Sequence, residues 1–509
     1  MNTIASKSLA NKINFSYWQQ FIPIGLILLL AAGLYFYQLG TEGFWIDELT
    51  SMTDIKSGRG LSLNNTDIRP LYYILLSIWA KFSHNDAWLR SLSVLFALGS
   101  VLLVYQIGRR LVGEPEGLIS ALLLALSPLF INHAQEVRMY TLSACLGLGG
   151  TLALTQALTI KKPKHPTFAS MAWWAGMRFL AIITVPLNFT LLVADIIIIW
   201  LRFHDQRRVL LNFGKWLLAI GIFWSPCVFS VFQAASPTSD YANSGHVASR
   251  QAPGLINVVR ILKFYTVWPF AVGENAIAAK FYQLFTGLLA GLLGAALIQK
   301  YRSAKLLWVG IWAFVPLIQI FIFSHISMSL WVNRYLLFVC PYIFILLAAG
   351  FMRVWRKWRI MAIVVALVYT LAISGGLVRY YTVLDRPTYN SVIQTISNGE
   401  QPGDLIVWSM YYTKALEHYY HGSAPIHWLP FTKRATESEL EAWLVSLPPI
   451  KSRFWLACEL SSRSSQILQN VVQQKFQIEE YQAFAKSPGT KNHMEVLLLT
   501  PNDTNTQKS

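Results

Sequence analysis

Two adjacent carboxylates, Asp47 and Glu48, stand in the stretch Phe44-Trp45-Ile46-Asp47-Glu48-Leu49-Thr50, directly after the first long apolar run. A positioned carboxylate can take a proton from a hydroxyl, and a second beside it can orient the first or bind the substrate. On a helix such neighbours project about 100° apart, so one faces the site while the other braces it. Two more polar clusters follow: Glu136, Arg138 and Tyr140, and then Asn333 with Arg334. Fixed guanidinium groups hold an anion that leaves, a phosphate above all. Plainer roles compete with these. Asp47 would serve as the N-cap of a surface helix, and Arg138 and Arg334 would anchor the ends of membrane spans at the headgroups. His133, His246 and His325 are too scattered for a metal site, so no metal is expected and a divalent ion has no support in the spacing.

The elements that must position these residues are membrane spans. Of 509 residues 54% are hydrophobic and 13% charged, more apolar surface than a water-soluble core of this size needs. A helical crossing takes about 20 mainly apolar residues, and eleven runs qualify, beginning with Tyr17–Tyr37. The formal charge of +17 would suggest nucleic acid in a soluble protein. Here the basic residues fall on alternate loops: Lys7 and Lys12, Arg109 and Arg110, Lys161 to Lys164, Arg202 to Lys215, Lys300 to Lys305, Arg353 to Arg359. That is the positive-inside pattern. It places the N-terminus in the cytoplasm and all three polar clusters on the outer face of the plasma membrane, and nucleic-acid binding is not needed to explain the charge. The first run is longer than a signal-peptide core and reads as an uncleaved span. Cys145, Cys227 and Cys340 lie in apolar runs and Cys458 in the polar tail, so no structural disulfide is expected.

Between the first two spans lies an outer loop, 38–87, too long to be structureless. Ile46, Leu49, Met52 and Ile55 recur every three residues, which predicts a helix lying along the membrane surface. The run Leu71–Phe82 is apolar but too short to cross. Spans five and six form a hairpin turning at Pro186-Leu187-Asn188. Arg178 and Asp195 lie roughly 12 to 13 Å from that turn, one on each helix, which predicts that they pair. Locking the two helices is the plainer role for such a pair, substrate binding the sharper one.

From Leu384 on no span remains. Strand-like runs at Leu405–Trp408, Phe454–Cys458 and Val496–Thr500 alternate with helical patterns, which predicts a small α/β domain. The expected class is therefore a mainly α polytopic membrane protein of about 11 transmembrane helices with a C-terminal extracytoplasmic α/β domain. Its parts would be a transmembrane domain over 1–381, the α/β domain over 382–500, and a disordered tail at 501–509. The outer domain carries 11 basic and 12 acidic residues from Thr382 on, a balance that points at no partner.

Four motifs, taken in order and spacing over residues 1 to about 380, resemble the C-type, membrane-embedded glycosyltransferases of family 39, the protein mannosyltransferases and their bacterial relatives that act on lipid A. They are Trp45-Ile46-Asp47-Glu48, Pro70-Leu71-Tyr72-Tyr73, Glu136-Val137-Arg138-Met139-Tyr140, and Asn333-Arg334-Tyr335 with Pro341. The resemblance implies a polyprenyl-phosphate sugar donor and a lipid, glycan or protein acceptor. It also implies Asp47 as general base, with Arg138 and Arg334 facing the donor phosphate. The residues themselves call for no cofactor. Glu136, Tyr140 and Tyr72 would bind substrate. Where family members often carry His-Pro-Pro before Leu-Tyr, this chain has Ile68-Arg69-Pro70, so the histidine's role does not transfer and Arg69 offers a phosphate contact of its own. The Thr-His pair common after span five is replaced by Pro186-Leu187-Asn188. A transporter or flippase of lipid-linked sugars would also want outer-face arginines and many spans, but paired interrupted spans in matching halves are missing from the sequence. An assembly protein anchored by its membrane part would not need eleven spans.

Overall fold

A computed structural model describes residues 21–58, 70–160, 165–235, 251–267, 276–298, 304–326, 328–383, 389–410, 413–429, 436–447, 453–459, 463–485 and 493–501. Arg69, the segment 236–250 and the tail 502–509 lie outside them, as does the side chain of Cys227. Among the described residues 8 helices are long and apolar enough to cross a membrane, or 9 if the bent pair Glu114–Leu126 and Pro128–Ala134 is one span. The first and fifth expected spans appear as shorter apolar helices, Ile22–Phe36 and Phe168–Thr184. The chain forms two compact units, Met1–Leu39 with Ser57–Tyr380, and Gly40–Lys56 with Tyr381–Ser509. Residues 40–56, expected within the transmembrane domain, thus group with the C-terminal residues.

In the membrane unit the spans Asn333–Lys357 and Tyr140–Leu158 are the most enclosed, 78% and 72% buried, against 17% for Arg207–Pro226 at the periphery. Helix Tyr140–Leu158 packs on Asp86–Leu111 and Phe168–Thr184, and Glu114–Leu126 packs on Asp86–Leu111 and Cys340–Lys357. Gly117 permits the first of the latter contacts, because a Cβ there would come within 2.7 Å of the Arg109 backbone. Pro128 has no N–H to continue the preceding helix. The chain bends by 63° at this break, where the Ser127 hydroxyl donates to the Tyr265 carbonyl and accepts the Phe130 N–H.

The expected pair forms. Arg178 donates to both oxygens of Asp195, Nε to Oδ2 at 2.6 Å and Nη2 to Oδ1 at 2.9 Å, with both side chains 0% exposed. The indoles of Trp174 and Trp312 complete the carboxylate's shell at 2.7 Å each. The guanidinium also reaches the Gly147 carbonyl and the Thr151 hydroxyl. Charge and hydrogen bonds are satisfied wholly by protein, which marks this as a helix lock rather than a substrate site.

In the other unit five strands, β1 (Leu405–Ser409), β2 (Ile426–Trp428), β3 (Phe454–Glu459), β4 (Phe476–Ala485) and β5 (His493–Pro501), form one sheet. Their order is β2-β1-β3-β5-β4. β1 runs parallel to β2 and β3, while β5 runs antiparallel to β3 and β4. One face buries Val407, Leu456 and Leu497 against Leu440, Leu468 and Val472 of the helices Glu437–Ser446 and Arg463–Lys475. Thr436 and Glu439 close a reciprocal capping box at the first of these helices. Asp404, just before β1, is held by Arg453 at 2.8 Å and by the Trp455 indole at 3.1 Å.

Candidate active site

The segment carrying the two carboxylates is a helix, Ile46–Lys56, with Asp47 and Glu48 in its first turn and Lys56 in its last. Those charges complement the helix dipole at each end. Glu48, 0% exposed, reaches back to accept the Trp45 N–H at 3.3 Å. That is one half of a capping box, so the cap comes from Glu48 and not, as the sequence suggested, from Asp47. Asp47 is half-buried, and its carbonyl accepts the Ser51 hydroxyl. The apolar face predicted for the membrane surface is instead packed, with Leu49 and Met52 buried and the helix lying against Lys414–Tyr419.

The membrane unit gathers the second set. After the bent span, Glu136 accepts Asn132 Nδ2 on one carboxylate oxygen and His133 Nδ1 on the other, both at 2.8 Å. The His133 ring lies 5.1 Å from the ring of Tyr140. Arg138 sits 5.9 Å from that same Tyr140 ring, and Arg334 sits 5.5 Å from the ring of Tyr335. The two tyrosine rings meet at a tilt of 49°, with their centroids 6.4 Å apart. Two arginines distant in sequence thus flank one pair of touching rings, where guanidinium groups gain from the aromatic faces.

The loop that carries this set is pinned from several sides. Gln135 donates to the carbonyls of Tyr35 and Tyr37 and accepts from the Tyr380 hydroxyl. Ser93 donates to the Arg138 carbonyl, and Thr141 donates to that of Ser93. Such support fixes the direction of the side chains that the loop carries.

Glu136, Arg138, Tyr140 and Arg334 are therefore brought together. Tyr72 lies on a separate helix, Pro70–Ala80, with its ring 6.0 Å from that of Tyr73, and Arg69 lies outside the described residues. Sequence reasoning missed His133, set aside as scattered. The i, i+3 spacing to Glu136 was the signal that could have found it. Among the described residues no three or more His, Cys, Asp or Glu side chains group to hold a metal. The same unit has an apolar groove of about 330 Å³, lined by residues such as Leu122, Leu126, Leu289, Leu347 and Ile373.

A family model described as dolichyl-phosphate-mannose-protein mannosyltransferase matches residues 68–231. No curated protein matches the chain by sequence. Among solved structures, ArnT from Cupriavidus metallidurans bound to undecaprenyl phosphate has TM-score 0.58 at 13% identity, over 93% of this chain and 97% of that one. The archaeal oligosaccharyltransferase AglB from Archaeoglobus fulgidus, in complex with an inhibitory peptide and a dolichol-phosphate, has TM-score 0.54 at 14% identity, over 87% and 70%. The family match includes Glu136, Arg138 and Tyr140 but neither Asp47 nor Arg334. The chain thus shares the multi-pass membrane fold of these two structures along most of its length, and over residues 68–231 its sequence matches the mannosyltransferase family model.

Proposed function

We propose that the protein transfers a sugar from a polyprenyl-phosphate donor to an acceptor hydroxyl at the outer face of the plasma membrane, with inversion in a single displacement. Asp47 takes the proton of the acceptor hydroxyl, and the oxygen attacks the anomeric carbon. The bond from that carbon to the phosphate oxygen breaks, and polyprenyl phosphate leaves with the electron pair. Arg138 and Arg334 hold the phosphate as its charge grows. Glu48 braces Asp47 through the helix start, and Glu136, clamped by Asn132 and His133, sets the loop that aims Arg138. Arg69, Tyr140 and Tyr72 supply further contacts to donor and acceptor.

The observation that carries this reading is the convergence of Arg138 and Arg334 on the Tyr140–Tyr335 ring pair. It supports a site for an anion rather than two separate headgroup anchors. The apolar groove suits an isoprenoid tail, and both relatives named above were solved with polyprenyl phosphates. Basic residues on alternate loops support the outward orientation.

Reconstitution with a labelled polyprenyl-phosphate sugar tests the reading. Transfer of label to an acceptor is expected; movement of the donor across the bilayer without product would make the protein a flippase.

A further inference from the structure

The segment Gly40–Lys56 groups with Tyr381–Ser509, although the membrane unit flanks it in sequence on both sides. Its attachment is specific. Phe44, 0% exposed, stacks on the His418 imidazole at 5.1 Å and 29°. Its backbone N–H donates to the Tyr419 hydroxyl at 2.7 Å, and its ring meets the Tyr419 ring at 6.2 Å. His418 and Tyr419 brace each other edge-on at 4.6 Å. One residue earlier the backbone passes so close to Asn390 that a Cβ on Gly43 would lie 2.6 Å from its side chain. The helix that begins at Ile46 then packs against the helix Lys414–Tyr419 that supplies these side chains.

We infer that the C-terminal domain is the jig for the general base: Tyr419 and His418 are positioning residues that fix Phe44, and through it the start of the helix carrying Asp47. The inference rests on the reading of Asp47 as base for its kinetic consequence, but the anchoring has its own observable. Between Phe44 and Asp47 lie only Trp45 and Ile46, and Glu48 accepts the Trp45 N–H. Any slack at Phe44 therefore reaches Asp47 with little to absorb it. Reaction rates fall steeply when a base is misplaced by an ångström or less. The Tyr419 hydroxyl accepts the Phe44 N–H, so Tyr419→Phe takes away this hydrogen bond and keeps the ring packing.

The test uses the full chain reconstituted in lipid, with Tyr419→Phe beside Tyr481→Phe. Tyr481 donates to Glu495 at 2.7 Å in the same domain, on the outermost strand of the sheet, so its variant controls for general loosening. For Tyr419→Phe we expect kcat to fall about three- to tenfold, the rate equivalent of one buried hydrogen bond. KM for the lipid donor should stay within about twofold. Hydrogen exchange of the peptide over residues 44–56 should speed up in Tyr419→Phe and stay at the wild-type rate in Tyr481→Phe. Unchanged exchange and kcat in Tyr419→Phe, or equal losses in both variants, would overturn the inference. Faster exchange in Tyr419→Phe, with a wild-type chain that transfers no sugar, would instead sink the proposed function and leave the anchoring intact.

Discussion

Replacing Asp195 with asparagine removes one charge and almost no volume from the most buried ion pair among the described residues. In the wild type the carboxylate receives four donors, two from Arg178 and one each from Trp174 and Trp312. Interhelical hydrogen bonds in membranes average about 0.6 kcal/mol, so four bonds alone would give roughly 2 kcal/mol. Asparagine keeps one acceptor and points an NH2 group at donors already there. It also leaves Arg178, 0% exposed, as an uncompensated buried cation. Breaking a buried pair in this way costs about 3 to 5 kcal/mol, or about two to three and a half powers of ten in the unfolding constant. The charge, not the count of hydrogen bonds, sets the scale. Equilibrium unfolding in mixed micelles should show this loss for Asp195→Asn. The double variant with Arg178→Met should recover part of it, because no stranded charge remains. Transfer per folded molecule should match the wild type. Unchanged stability, or additive losses in the double variant, would refute the electrostatic argument, and lost transfer in a stably folded single variant would refute the assignment as a lock.

At the proposed donor site, Arg138→Ala should weaken binding of polyprenyl phosphate about ten- to hundredfold, the range of one charge-assisted hydrogen bond; a binding titration that superimposes on the wild type would make Arg138 a headgroup anchor. In the C-terminal unit, burial works against the charge of Asp404, but hydrogen bonds from Arg453, the Gln401 backbone and Trp455 outweigh it and hold the pKa below the usual carboxylate range. A depressed folded pKa means that this stability is present above the unfolded value of about 3.9 and is lost as pH falls through the folded one. Urea unfolding of the full chain should therefore weaken below about pH 4, and Asp404→Asn should flatten that slope while lowering stability at neutral pH.

Much of the molecule could be read from residues whose local geometry decides their fate. Arg178 and Asp195 were predicted to meet because helix rise alone puts them at matching depth. The strands β1, β3 and β5 showed as apolar runs because they lie at the centre of the sheet. β2 has three residues, too few for a pattern, and β4, Phe476–Ala485, carries Glu479 and Glu480 on an edge that tolerates charge. The helix at Ile46–Lys56 was legible, but its destination was not. Its apolar spacing suits a membrane surface as well as a protein partner, and the partner Tyr419 lies 375 residues beyond Phe44. The cap misled for a different reason. Asp47 has the chemistry of an N-cap, yet the helix starts one residue before it, which leaves the third position to Glu48. Arg138 and Arg334 were both marked, but only tertiary packing of Tyr140 on Tyr335 could tell that they flank one ring pair.

Single-turnover transfer from a labelled polyprenyl-phosphate sugar by Asp47→Asn in proteoliposomes tests the central claim most directly. The amide keeps the shape of the side chain and removes its basicity. A general base contributes about 10² to 10⁴ in rate, so transfer should fall by at least about a hundredfold with donor binding and folding retained. Transfer at the wild-type rate would contradict the account and return Asp47 to a structural role at the head of its helix.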